Sequence, residues 1–160
     1  MFMPELAPLP DRIDNMSTNL NSMLSKEQGE NTILKKALSL LEYIKKKYED
    51  NEEHHSYHEY DIKTILDCDT KTAFEVIKYL SVESDENIIF DSYYIHYGWS
   101  REQECNISQE DFEKSIENES YIPIDLETEK KIEEFDQRRI AFHSFLKLKN
   151  ENIPYIELEW

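Results

Sequence analysis

The stretch "NEEHHSYHEYD", residues 51–61, holds three histidines and four carboxylates within eleven positions. No other segment concentrates so many groups able to bind a metal or move a proton. His54 and His58 lie four residues apart, so on a helix they share a face, the arrangement that zinc-binding pairs use. The rest of such a site is missing. No glutamate stands between these histidines, and Cys68 is the one thiol near them in sequence. A structural zinc needs four ligands and a catalytic one three. A second chemistry is proton binding: Glu52, Glu53, Glu59 and Asp61 are expected to favour the imidazolium form and to make the patch pH-responsive. The third reading is a solvated link between two helices. The residue spacing favours the link, and no metal or other cofactor is expected.

Other reactive combinations are thinner still. Cys105 and His143 could be paired as a nucleophile and base, but their charged, glycine-poor surroundings offer no oxyanion hole. Serines, histidines and aspartates occur in no nucleophile-elbow context. The chain has only two glycines, Gly29 and Gly98, whereas phosphate-cradling loops need several so that backbone N–H groups can approach the anion. No catalytic residue is therefore assigned, and the chain reads as a non-enzyme.

The elements around these residues follow from periodicity. In Thr32–Tyr48, the residues Ile33, Leu34, Ala37, Leu38, Leu41, Ile44 and Tyr48 make one apolar stripe. Lys45, Lys46 and Lys47 suit the negative end of that helix. A short helix is expected over His58–Leu66, then a third over about 71–82, capped by Asp69 or Thr70. Residues 88–97 turn β-rich, with Asp91-Ser92 as a possible hairpin turn or a bend in one strand. Further on, Ser108 is an N-cap with Asp111 at N3, and Ile107 and Phe112 sit at the positions of a hydrophobic staple. A helix follows to about residue 118. Pro123 breaks the chain, and a long helix is expected from Glu127 to Leu148. Ile156, Leu158 and Trp160 alternate with glutamates as in a strand. Residues 1–30 read as an arm holding a short helix around Ile13–Leu24, with residues 4–10 extended because prolines disfavour helix in the residue before them.

The segments "LLEYIKKKY", "DIKTILDCDTKTAFEVIKYLS" and "IIFDSYYIHYGW" together resemble a winged-helix domain over residues 31–100. That resemblance implies an α+β, mostly α fold: a winged-helix-like core of three helices and a β-hairpin, an N-terminal arm over 1–30, and a C-terminal helical extension over 101–160 ending in a short strand. In the family the third helix usually enters the DNA major groove. Here that helix offers Lys71 and Lys78 but also Glu75 and Glu83, and the wing candidate carries Asp85, Glu86 and Asp91. In size, acidity and element order the chain is similar to the small middle components of bacterial three-component systems built around SMC-like ATPases. The resemblance implies an accessory subunit that bridges an ATPase and an effector in defence against phage or plasmids.

Charge points the same way. Eighteen basic residues stand against 35 acidic ones, for a net charge of −17. Affinity for phosphate comes mainly from Lys and Arg, so direct binding to nucleic acid or to an anionic membrane is not expected. Two cysteines outside any CxxC pair fit a reducing, cytoplasmic setting. Protein partners in a hetero-oligomer are expected instead, contacted through apolar chain ends: Phe2, Met3, Leu6 and Leu9, and Ile156, Leu158 and Trp160. Two rivals remain: an acidic inhibitor of a basic enzyme (an immunity protein or DNA mimic), and a winged-helix DNA-binding regulator. A mimic needs its acids on one continuous face, whereas a docking subunit interrupts them with apolar residues.

Overall fold

A computed structural model describes residues 6–26, 31–50, 55–98 and 104–148. The protein is α+β: among the described residues, five α-helices accompany a four-stranded antiparallel sheet in the order β1-β4-β2-β3. Helices α1 (Leu9–Lys26), α2 (Thr32–Glu49), α3 (Glu59–Leu66) and α4 (Thr70–Leu80) come first, with strand β1 (Ser56–His58) before α3. Strand β2 (Phe90–His96), strand β3 (Cys105–Ile107), helix α5 (Gln109–Glu117), a 3-10 turn (Gln137–Arg139) and strand β4 (Ile140–Leu146) complete the chain order. Two compact units result: one from residues up to Asp91 and from Ser144 onward, the other from Ser92–His143. No helix among the described residues is long and apolar enough to cross a membrane.

In the first unit the sequence periodicity translates directly. Leu34, Ala37, Leu40, Leu41 and Ile44 form the buried face of α2, which packs on α3 and α4. Asn31 caps α2 by accepting from the Leu34 N–H at 3.1 Å. Asp69 caps α4 by accepting from the Thr72 N–H at 2.9 Å. Between α3 and α4 the chain turns through Asp67 at φ 49°, a left-handed conformation that closes helix C-termini. The α3 end is also held from α2, where Lys36 donates to the Leu66 carbonyl at 2.7 Å.

The short helix expected around Ile13–Leu24 is present, but it starts earlier, runs longer and is not a free arm. Residues 9–26 form an 18-residue helix packed on α2, with Leu9, Ile13, Met16 and Leu20 buried. Pro10 falls in the first turn, where a proline costs nothing because its missing N–H would have had no helical partner. Beside that apolar stripe lies Arg12, fully buried. Its Nε donates to the Ala7 carbonyl at 2.8 Å, one terminal nitrogen to the Ile88 carbonyl, and the other to the Lys147 carbonyl at 2.6 Å. One guanidinium thus joins the start of α1, the approach to β2 and the exit from β4. Nearby, Lys147 Nζ pairs with the buried Asp91 carboxylate at 3.2 Å. Burial pushes the Asp91 carboxyl up, and the Lys147 charge partly offsets that.

The second correction concerns the C-terminal third. No long helix spans 127–148: turns occupy 126–128 and 133–134, and 140–146 is strand β4. Every residue of β4, including His143 and Ser144, is buried. A strand with neighbours on both edges and cover on both faces reads as a continuous apolar run rather than an alternation, and the helical spacing of Ile132, Phe135, Phe142 and Phe145 is coincidental. The expected hairpin turn at Asp91-Ser92 lies inside β2, which runs unbroken and pairs with β3 through Tyr94–Ile107, Ile95–Asn106 and His96–Cys105. The expected strand over 151–160 lies outside the described residues.

The Arg12 fork gives a stability prediction. Arg12→Leu keeps the bulk but leaves buried carbonyls unpaired, and is expected to cost about 3 kcal/mol or more in urea denaturation. Arg12→Lys, a point charge without the fork, should recover only part of that.

Candidate functional site

Of the histidine-rich stretch, residues 55–61 are described. They use their polar groups to build structure. The His55 carbonyl accepts from the Leu146 N–H at 2.9 Å, on the β1 side of β4. His58 is the N-cap of α3: its Nδ1 accepts from the Tyr60 N–H at 3.1 Å, while the Asp61 carboxylate accepts from the His58 N–H at 2.9 Å. This is a reciprocal capping box with a histidine in the place usually held by Ser or Thr. An accepting Nδ1 requires the neutral ring with its proton on Nε2. Burial accordingly lowers the His58 pKa, only partly countered by Asp61. The expected carboxylate-stabilised imidazolium is therefore corrected at His58: desolvation outweighs the nearby acid. His54 lies outside the described residues, and among those described no group of three or more His, Cys, Asp or Glu could hold a metal ion.

The second unit carries the other concentration of polar side chains. An open cleft of about 840 Å³ is lined by residues that include His96, Cys105, Asp125, Lys131, Asp136 and Arg139. His96, at the end of β2, is 4% exposed. Its Nε2 accepts from the Asp136 N–H at 3.1 Å, and its ring lies 5.1 Å from that of Phe135. Burial and then the Arg139 charge lower its pKa, with Asp136 opposing. Asp136 is itself fixed by Arg138 through hydrogen bonds of 2.9 and 3.1 Å, which hold its carboxyl down to about 2. At Cys105, burial and a hydrogen bond to Asp125 push the thiol up to about 11. A thiol so disposed stays protonated at neutral pH and is a poor nucleophile. The charges acting on it are those of Asp125 and Glu127, which disfavour the thiolate that the Cys105–His143 dyad considered from sequence would need.

Cleft and cap share one chemical character. Their imidazoles are neutral acceptors of backbone N–H groups, their carboxylates are tied to neighbours, and the thiol is held unreactive. Such an arrangement fixes loops.

The anchors expected at the chain ends are placed unevenly. Leu9 is 3% exposed in the core beneath α1, so its side chain is not available to a partner; the helix begins at Leu9, before the expected start at Ile13, and turns it inward. Leu6 is half-buried. Phe2, Met3, Ile156, Leu158 and Trp160 lie outside the described residues. What sequence reading passed over is the turn-rich segment after α5. There Ile122, Ile124 and Leu126 are 41%, 40% and 55% exposed. Their spacing of two was visible in "YIPIDL", but Pro123 drew attention as a breaker. No family model, curated protein or solved structure matches the chain.

A pH dependence follows from two histidines, the half-buried His58 and the buried His96. In the unfolded chain each takes up a proton near the ordinary value of about 6.5; in the fold both values are lower. Between folded and unfolded values the unfolded chain binds more protons, so stability rises with pH there. Their contribution is full above about pH 6.5 and disappears as pH falls through the folded values. The melting temperature should drop between about pH 7 and pH 5. His58→Asn, which keeps a capping acceptor that does not titrate, should remove part of that slope; an unchanged slope in this variant would contradict the capping role.

Proposed function

We propose that the chain is a non-catalytic, protein-docking subunit that bridges components of a larger assembly, of the kind organised around SMC-like ATPases in bacterial defence, and that its helical part is a winged-helix-like module. One observation carries the reading. From α2 to β4 the order is helix, strand, helix, helix, strand and, after a long excursion, strand, with β4 seated between β1 and β2. The excursion after β2 stands where a winged helix has its wing, and its described residues, 104–139, pack on β2 and β4 around a shared aromatic cluster. Tyr94, Phe112 and Phe142 meet there at centroid distances of 5.0, 6.4 and 6.1 Å.

Two features favour docking to protein over reading DNA. On α4, the helix that would enter a groove, Lys78 lies 4.0 Å from Glu75 and over the Phe74 ring, leaving Lys71 as that helix's other cation. The excursion is acidic: its stretch 117–134 holds seven carboxylates and two lysines. A surface of that net charge is poorly suited to holding a phosphate backbone. The exposed Ile122, Ile124 and Leu126 interrupt the acids, which disfavours a DNA mimic and suits a protein interface.

Titration of the full chain against duplex DNA in low-salt buffer, where weak electrostatic binding is strongest, should give no complex at micromolar protein. Co-expression with the products of adjacent genes should give a stable complex. A sequence-specific DNA shift, or failure to associate with any neighbouring product, would overturn the bridging reading.

A further inference from the structure

The segment after α5 presents its apolar side chains on a backbone that is fully tied down. Ile124 and Lys131 form an antiparallel bridge, flanked by bonds from the Asp125 N–H to the Lys130 carbonyl at 2.9 Å and from the Ile132 N–H to the Pro123 carbonyl at 3.1 Å. The Leu126 N–H donates to the Asn106 carbonyl on β3 at 2.9 Å. Asp111, on α5, clamps the incoming strand with both oxygens: one accepts from the Tyr121 hydroxyl at 2.7 Å, the other from the Ile124 N–H at 2.8 Å. Pro123 is buried and Asp125 half-buried, while Ile122, Ile124 and Leu126 are exposed. Ile122 and Ile124 thus stand two apart on the incoming strand, and Leu126 opens the turn that follows, closed by the Glu129 N–H on the Asp125 carbonyl at 2.8 Å.

Single exposed apolar residues need no explanation, but three at alternate positions on a fixed backbone form a ready contact surface. The ordering cost that usually weakens loop-mediated binding is already met by the hydrogen bonds above. Exposed Glu119, Glu127, Glu129, Glu133 and Glu134 lie on the same stretch of chain and outnumber its two lysines, the exposed Lys130 and Lys131. A net acidic stretch that carries apolar side chains selects its complement by charge: it repels acidic surfaces and steers in basic ones.

Resting on the bridging reading, we infer that the strip Ile122–Ile124–Leu126 is the docking surface for a basic partner segment, one that alternates apolar residues with Lys or Arg. The apolar side chains of that segment cover the strip, and its cations meet the flanking glutamates.

The test uses the full-length chain and a short synthetic peptide alternating lysine and leucine, with two controls: a glutamate–leucine peptide and an oligolysine of equal charge. The lysine–leucine peptide should bind, and the glutamate–leucine peptide should not. Ile124→Ser with Leu126→Ser should weaken binding about tenfold or more, the scale of losing a central apolar anchor, with the melting temperature unchanged because both side chains are exposed. Glu119→Lys with Glu127→Lys should weaken it as well. Equal binding of oligolysine, undiminished by the serine variants, would overturn the inference, since charge alone would then suffice. If the lysine–leucine peptide fails to bind while the chain still co-purifies with the product of a neighbouring gene, this strip falls and the bridging reading stands.

Discussion

The helical unit depends on one buried cation. Arg12 sits in a core otherwise built from Leu, Ile and Phe, and it is paired there with backbone carbonyls rather than with a carboxylate. Desolvation lowers its pKa, yet a guanidinium remains charged in any protein environment. Its donors must therefore be satisfied in place, and three segments far apart in sequence are held at fixed separations as a result. An aliphatic residue at this position could fill the space but could not set where residues 7, 88 and 147 lie. The ion pair of Lys147 with Asp91 and the bond from Asn15 to Asn87 at 3.2 Å extend the same polar seam. A seam of this kind specifies an arrangement more than it adds net stability.

The same logic governs the residues that first suggested chemistry. His58 and His96 each accept a backbone N–H, one at a helix start and one at the turn preceding β4. Asp69, Ser108 and Asp136 each cap the element that follows them. In a chain with two glycines, tight turns must be made by side-chain acceptors and by strained backbone, and Asp67, Glu129 and Glu134 adopt positive φ without glycine's freedom. Polar residues that would be available to a substrate in a glycine-rich protein are spent here on holding turns together. This is a physical reason for reading the chain as a scaffold with a surface to offer.

That surface belongs to the elaborated half. Residues 97–139 leave β2 and return as β4, and between those points they fold around Tyr94, Phe112 and Phe142. The three aromatic rings let the excursion hold a fixed shape, because each buries a large apolar area. Asp111 then carries that rigidity to the segment bearing the exposed Ile122, Ile124 and Leu126.

The sequence by itself determined what depends on neighbours a few residues apart. The helix over 32–49, the caps at Asp69 and Ser108, the acidity and the absence of a phosphate loop were all legible, because helical periodicity and capping are local. Helix α1 was half legible: its stripe at Leu9, Ile13, Met16 and Leu20 was present, but polar residues diluted it and prolines preceded it. Only the tertiary structure decided the rest. Whether "IAFHSFL" is helix or strand depends on having β1 and β2 on either side of it, and no local signal encodes those neighbours. Whether Arg12 is buried depends on carbonyls as far away as residue 147. Whether His58 is charged depends on how far its ring is withdrawn from water. Each is a matter of long-range contact and desolvation, quantities that residue spacing cannot carry.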